Sequence, residues 1–238
     1  YPMGITAENI NDKYQITRRQ QDEFALLSHQ RAVKAQKAGY FDSEIVPVEV
    51  EQKRTTVTVK VDEAPRPDTS LAALAKLKPA FKSDGSVTAG NASGINDGGA
   101  ALVLASESAV NQLGLTPLAE WQGSAVVGLD PALMGLGPYY AIKKLLKNQQ
   151  MAADDVDTYE INEAFATQAL VCQDLLHLDP SAVNPWGGAI ALGHPVGCSG
   201  ARIIVTMINK MHWDNHELGI ASLCVGGGMG EAVLLKKI

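Results

Sequence analysis

Apolar and polar positions follow a helical pattern from Thr17 to Ala38. Thr17 stands at the N-cap, Gln20 completes a capping box three residues on, and Gly39 follows as a C′ glycine. Thr6 has the character of a second N-cap. Ile45–Val50 and Thr55–Val61 alternate or run β-branched and are predicted as strands, and the Pro65/Pro67 stretch Ala64–Thr69 as a loop.

The second half alternates. Strands are predicted at Leu118–Val127, Thr158–Ile161, Leu218–Cys224 and Glu231–Lys236. Between them lie helical patterns at Tyr139–Asn148 (with Pro138 near its first turn), Ala164–Leu176, and a helix capped by Ser199 that runs to Met211. This order predicts an α/β fold with a mainly parallel sheet, covered faces and a final antiparallel hairpin.

The 238 residues carry 20 basic and 26 acidic side chains, a net charge of −6, and 46% apolar residues. With mean hydropathy close to zero, a disordered chain is excluded. The acidic balance argues against nucleic-acid binding, and no apolar run approaches the roughly 18 residues of a membrane span. Three cysteines without a CxxC pair imply free thiols in a reducing, cytoplasmic setting. The chain begins at Tyr1 without an initiator Met, signal or transit segment, and reads as a piece of something longer.

Glycine is uneven: ten of the 22 fall between Gly187 and Gly230, a density that suits backbone approach to a ligand. Several candidates dissolve. Gly135-Leu136-Gly137-Pro138 misses the third glycine of a dinucleotide fingerprint, and Pro138 removes an amide that would hold the pyrophosphate. There is no Gly-Lys-Ser/Thr and no GxSxG. His212 and His216 straddle a turn, His29 and His177 read as structural, Asp154, Asp155 and Asp157 read as a solvated turn, and no metal site is expected.

Three motifs remain. Asn162-Glu163-Ala164-Phe165-Ala166 sits where a strand hands over to a helix, with Asn162 either an N-cap or a functional amide. Gly187-Gly188-Ala189-Ile190-Ala191-Leu192-Gly193-His194-Pro195 places a histidine on a rigid loop. Cys224-Val225-Gly226-Gly227-Gly228-Met229-Gly230 puts a thiol at a strand end beside exposed amides, unless Cys224 is only a small buried hydrophobe. Together they read as a Cys/His/Asn acyl-transfer site.

In this order the motifs resemble the thiolase family, at its acetyl-CoA acetyltransferases. Met3-Gly4-Ile5-Thr6-Ala7-Glu8-Asn9, Lys78-Pro79-Ala80-Phe81, Thr88-Ala89-Gly90-Asn91-Ala92-Ser93-Gly94 and Met134-Gly135-Leu136-Gly137-Pro138 extend the likeness along essentially the whole chain. The resemblance implies a layered α/β fold of mixed sheets with covering helices and an incomplete N-terminal half. Its parts would be a loop-domain segment at 1–97, the end of the N-terminal domain at 98–117, with Gly98–Leu113 as a strand and a helix of a further sheet, and a C-terminal domain at 118–238. It further implies that His194 activates a nucleophilic cysteine and that Asn162 holds a water forming an oxyanion hole with His194. Cys224 would be the acid/base, and the Gly226 amide would serve a second oxyanion hole. Met3, Arg66, Ala89, Ser93, Met134, Ala164 and Phe165 match contacts for coenzyme A or a short acyl group. Coenzyme A would be a cosubstrate, with no bound cofactor, acetyl-CoA and acetoacetyl-CoA as partners, and a homodimer or homotetramer as the assembly.

The pattern departs from the family in places. Its nucleophile lies N-terminal to everything in this sequence, and neither Cys172 nor Cys198 matches that motif, so the chain alone is expected to be inactive and to need a missing N-terminal half. Pro2 stands where many short-chain members carry His. Trp186 replaces an Asn, and Cys198 a common Ala. Two other readings stand beside this one: a Cys/His/Asn thioester hydrolase with Cys224 as nucleophile, and a CoA-binding partner subunit of a split enzyme.

Overall fold

The structure is a computed structural model describing residues 1–238. Its helices are α1 (Met3–Tyr14), α2 (Arg18–Lys37), α3 (Leu71–Leu74), α4 (Glu107–Leu113), α5 (Gly137–Gln149), α6 (Ala166–Leu175), α7 (Ala189–Leu192) and α8 (Ser199–Asp214). Its strands are β1 (Val48–Gln52), β2 (Thr55–Val59), β3 (Ala119–Gly128), β4 (Thr158–Ile161), β5 (Leu218–Val225) and β6 (Met229–Lys237). Thr17 caps α2 with both halves of the box made, and Gly39 takes the positive φ of +75° that ends it. Thr6 is not a cap. Pro2 occupies the N-cap of α1, and the Thr6 hydroxyl donates back to the Met3 carbonyl inside the first turn.

The main sheet has the order β3-β6-β5-β4. Only β4/β5 is parallel, while β3/β6 and β5/β6 are antiparallel. The expectation of a mainly parallel sheet is thereby corrected. β6 returns through the turn after Cys224 and inserts between β5 and β3, so the alternation of strand and helix does not translate into successive parallel crossovers. Period-two alternation then sorts side chains onto two faces. Ile220, Ala232 and Leu234 meet Ala141, Ile142 and Leu145 of α5 on one face. Ala221, Val233 and Leu235 meet Ile203, Met207 and Met211 of α8 on the other.

β1 and β2 form a separate exposed hairpin. The strand expected after Gly98 does not form: the segment before α4 has no strand beside it, and Val103 and Leu104 are 93% and 79% exposed. α4 itself forms, capped by Ser106. The outer edge of β4 is covered by the segment around Val183 rather than by a strand. There the Asn184 carboxamide continues the ladder, accepting from the Ile161 N–H at 2.8 Å and donating to the Ile161 carbonyl at 2.7 Å. No helix is long and apolar enough to cross a membrane.

Candidate active site

β4 and β5 run parallel and end side by side, with Ile161 opposite Ser222. Asn162 leaves the end of β4, its N–H donating to the Ser222 carbonyl at 2.9 Å. It does not cap α6, which begins four residues later at Ala166. The intervening residues stay extended because the Ala164 carbonyl accepts from the Ser93 N–H and the Asn91 carbonyl from the Ala166 N–H. Ala92 bridges Phe165 in the same strip.

His194 reaches Asn162 from the other direction. Gly193, at φ +99°, turns the chain out of α7, and the His194 N–H donates to Asn96 Oδ1 at 3.1 Å. His194 Nδ1 lies 2.6 Å from Ser199 Oγ, whose hydroxyl donates to the Pro195 carbonyl at 3.0 Å. A carbonyl can only accept, so the hydroxyl proton is committed there and Nδ1–H becomes the donor to Ser199. Nε2 therefore carries the lone pair and faces Asn162 Nδ2 at 3.4 Å. That separation is long for a hydrogen bond. Asn162 Oδ1 is buried without a partner. Burial, aided by the Arg202 cation, lowers the His194 pKa below the ordinary histidine value and keeps the ring neutral.

Ser199 was expected to cap α8. It is instead the first helical residue, with Cys198 at the N-cap, and its hydroxyl serves His194. Asn96 and Ser199 are the two site residues that motif reading missed. The only sequence signal for Ser199 was its position five residues after His194, and Asn96 had none.

Cys224, two residues past Ser222 on β5, is buried with Met134 and Ala164, and Phe165 packs against them. Burial pushes its thiol up to about 11, so it holds its proton near neutrality. Once deprotonated it is a stronger base than an ordinary thiolate. No hydrogen bond links Cys224 to His194. Gly226 is exposed in the turn that follows Cys224.

Arg66 and Ala89 line a groove of about 430 Å³ that also includes Gly90, Asn96 and Gly193, and so runs up to the backbone that carries His194. A neighbouring cleft of about 520 Å³ shares His29 and Arg66 and adds Lys34 and Lys37. His29 Nδ1 accepts from the Arg66 N–H at 3.2 Å, which ties this loop to α2. Met3 is partly exposed at the start of α1. Its neighbour Gly4 lies against the Phe81 ring, which stacks edge-on with Phe165 at 6.1 Å.

Two of the departures have local explanations. Trp186 is buried against Tyr40 and Phe41, at 4.9 and 5.8 Å between ring centroids. Cys198 is buried at the start of α8. Pro2 is exposed and only precedes α1. Cys172 is buried in α6, its thiol pushed up to about 12 by burial and donating to the Gly135 carbonyl at 3.5 Å.

Family comparison agrees in extent with this arrangement. The family model described as "Thiolase, N-terminal domain" matches residues 1–108, and "Thiolase, C-terminal domain" matches residues 115–237. The expectation of a missing N-terminal half is corrected by the first of these, because that domain is represented in the chain. Over 238 residues the chain is 50% identical to a "Probable acetyl-CoA acyltransferase" of Staphylococcus epidermidis, covering 100% of this chain and 60% of that protein. The crystal structure of the Bacillus anthracis acetyl-CoA acetyltransferase superposes with a TM-score of 0.97 at 51% identity, over 99% of this chain and 60% of that one. Human mitochondrial 3-ketoacyl-CoA thiolase in complex with CoA gives a TM-score of 0.92 at 44% identity, over 100% and 59%. The chain thus spans about 60% of the length of the proteins it matches.

Proposed function

The chain belongs to the thiolase family, and on that premise we propose that it carries the acid/base and oxyanion half of an acetoacetyl-CoA thiolase. The reaction condenses two acetyl-CoA or cleaves a 3-ketoacyl-CoA with CoA. The observation that carries this reading is the pairing of Asn162 Nδ2 with the lone-pair nitrogen of His194 at 3.4 Å. As a base, Nε2 takes a thiol proton. It then becomes a donor, and together with a water held by the Asn162 amide it can stabilise one developing oxyanion. In condensation Cys224 takes the α-proton of the attacking acetyl-CoA, whose carbanion then forms the new C–C bond; in cleavage the Cys224 thiol gives its proton to the departing acetyl-CoA enolate. Gly226 offers an amide to the second oxyanion.

Met134, Ala164 and Phe165 form the acyl wall in this reading. Met3, Arg66, Ala89 and Ser93 contact coenzyme A, with the Arg66 guanidinium facing its phosphates. The assignment of 1–97, 98–117 and 118–238 to loop-domain, N-terminal and C-terminal parts belongs to the same proposal. So do a cytoplasmic location and a homodimeric or homotetrameric assembly, for which the exposed Val103 and Leu104 are apolar candidates.

None of the three cysteines suits the role of first nucleophile. Cys172 is sequestered in α6, burial pushes the Cys198 thiol up, and the buried Cys224 holds its proton. We therefore include in the proposal that residues 1–238 alone bind CoA thioesters without turning them over. This favours, as a second reading, a CoA-binding subunit complemented by another chain. Thiolysis of acetoacetyl-CoA, compared between the 238-residue chain and the full-length protein, tests both. Activity confined to the full-length protein supports the first reading, and turnover by a chain of proven length 1–238 overturns the argument.

A further inference from the structure

Glu163 follows Asn162 directly, is 2% exposed, and has no part in the chemistry above. Its carboxylate accepts three hydrogen bonds from three different parts of the chain. Oε2 accepts from Ser28 Oγ–H of α2 at 2.6 Å and from the Ile190 N–H of α7 at 3.2 Å. Oε1 accepts from Asn184 Nδ2 at 2.9 Å. The amide of Asn184 cannot turn over, because its oxygen already accepts from the Ile161 N–H. Ser28 Oγ also accepts from the Gly188 N–H at 3.2 Å, which leaves its proton for Glu163.

Every partner is a donor, so the pocket is built for a carboxylate that accepts at both oxygens. A glutamine there would set its own N–H2 against one of these donors. The neighbouring backbone is fitted to the same group. A Cβ on Gly188 would lie 2.2 Å from the Glu163 carboxyl carbon, and one on Gly187 would lie 2.7 Å from the Ser28 carbonyl oxygen. Residues 187–188 are thus pressed between α2 and Glu163. From there α7 and Gly193 lead straight to His194.

We propose that Glu163 is a positioning residue of the acyl-transfer site. Its carboxylate ties the end of β4, which carries Asn162, to the 184–194 segment, which carries His194, and so sets the gap between the two groups. Which reaction it serves rests on the function proposed above.

The test uses Glu163→Gln and Ser28→Ala in the full-length protein, with thiolysis kinetics, thermal melting and amide hydrogen exchange. Glu163→Gln is expected to lower kcat by about ten-fold or more, the scale of a lost charge-assisted hydrogen bond. KM for the CoA thioester should stay within about two-fold, because no substrate contact is removed. Exchange at Gly188, Ile190 and His194 should accelerate. Ser28→Ala, on α2, should move kcat and exchange in the same direction by a smaller factor. A lower melting temperature with unchanged kcat would show that Glu163 only supports the fold and would overturn the proposal. If Glu163→Gln does not fold, Ser28→Ala decides by the same readouts, and unchanged kcat and exchange overturn it. A wild-type protein without thiolysis counts against the proposed function alone, since the exchange measurements still decide the clamp.

Discussion

Asn162 Nδ2 stands 3.4 Å from His194 Nε2, although the two residues are 32 positions apart and neither lies in a helix or strand. Asn162 is held by the Ser222 carbonyl at the end of the sheet, and His194 by Asn96 and Ser199. An amide that can hold a water and a ring nitrogen that becomes a donor on taking a proton, both fixed in advance across a gap, are what stabilisation of a developing negative charge requires. The same gap is too long to be optimal in the ground state, so little of this pairing is spent on stability.

Asn162→Ala should therefore lower kcat by about 10²–10³-fold, the usual cost of one oxyanion donor. Its effect on folding should be small, because Asn162 Oδ1 has no partner to lose. Steady-state thiolysis and thermal melting of the full-length protein measure both. A large loss of stability with retained kcat would reverse the assignment.

His194 should titrate below the ordinary histidine value, because burial and the Arg202 cation both disfavour the imidazolium. Arg202→Gln removes the cation and should move the titration upward. The unfolded ring binds its proton more readily than the folded one. The stability tied to this residue is accordingly present above about pH 6.5 and is lost as pH falls through the folded pKa. NMR titration of the ring protons, with and without the Arg202 change, checks the direction. A downward shift in the variant contradicts it.

Gly193→Ala should strain the turn into His194. The residue sits at φ +99°, and a Cβ would come 2.7 Å from the Asn96 carboxamide that holds the His194 N–H. A cost of about 1–3 kcal/mol is expected in chemical denaturation, with kcat falling more than the folded fraction explains. Equal stability and equal kcat would show that the turn has room to relax.

Met134→Ala should open the space beside Cys224, since Met134 is 6% exposed and shares a cluster with Ala164 and Cys224. Cleavage of longer 3-ketoacyl-CoA substrates should improve relative to acetoacetyl-CoA. The shift should be modest, because one methylene is worth about 1–3 kcal/mol of discrimination. An unchanged chain-length profile would remove Met134 from the acyl wall.

The elements with strong local signals were legible in the sequence. The Thr17 box and Gly39 bound α2, and β4 runs Thr158–Ile161 as the β-propensity and its flanks predict. What failed depended on distant partners. Gly98–Leu104 has strand composition but no neighbour to pair with. The sheet is mostly antiparallel because β6 inserts beside β3, a choice that no local pattern encodes. At the site, the motif residues could be named from their chemistry, but the roles of Asn96 and Ser199 could not. Each acts through one long-range or turn-dependent hydrogen bond to His194, invisible until the loop geometry is known.

The central claim is that Cys224 moves the α-proton and is not the group that carries the acyl chain. It is tested most directly by incubating the Cys224→Ser full-length protein with radiolabelled acetyl-CoA and following both protein-bound label and condensation. A serine hydroxyl, with a far higher pKa than the thiol, cannot accept the α-proton near neutrality. The account predicts that the label stays on the protein while acetoacetyl-CoA formation largely stops. Absence of label on the variant, with label on the wild type, would contradict it and make Cys224 the nucleophile.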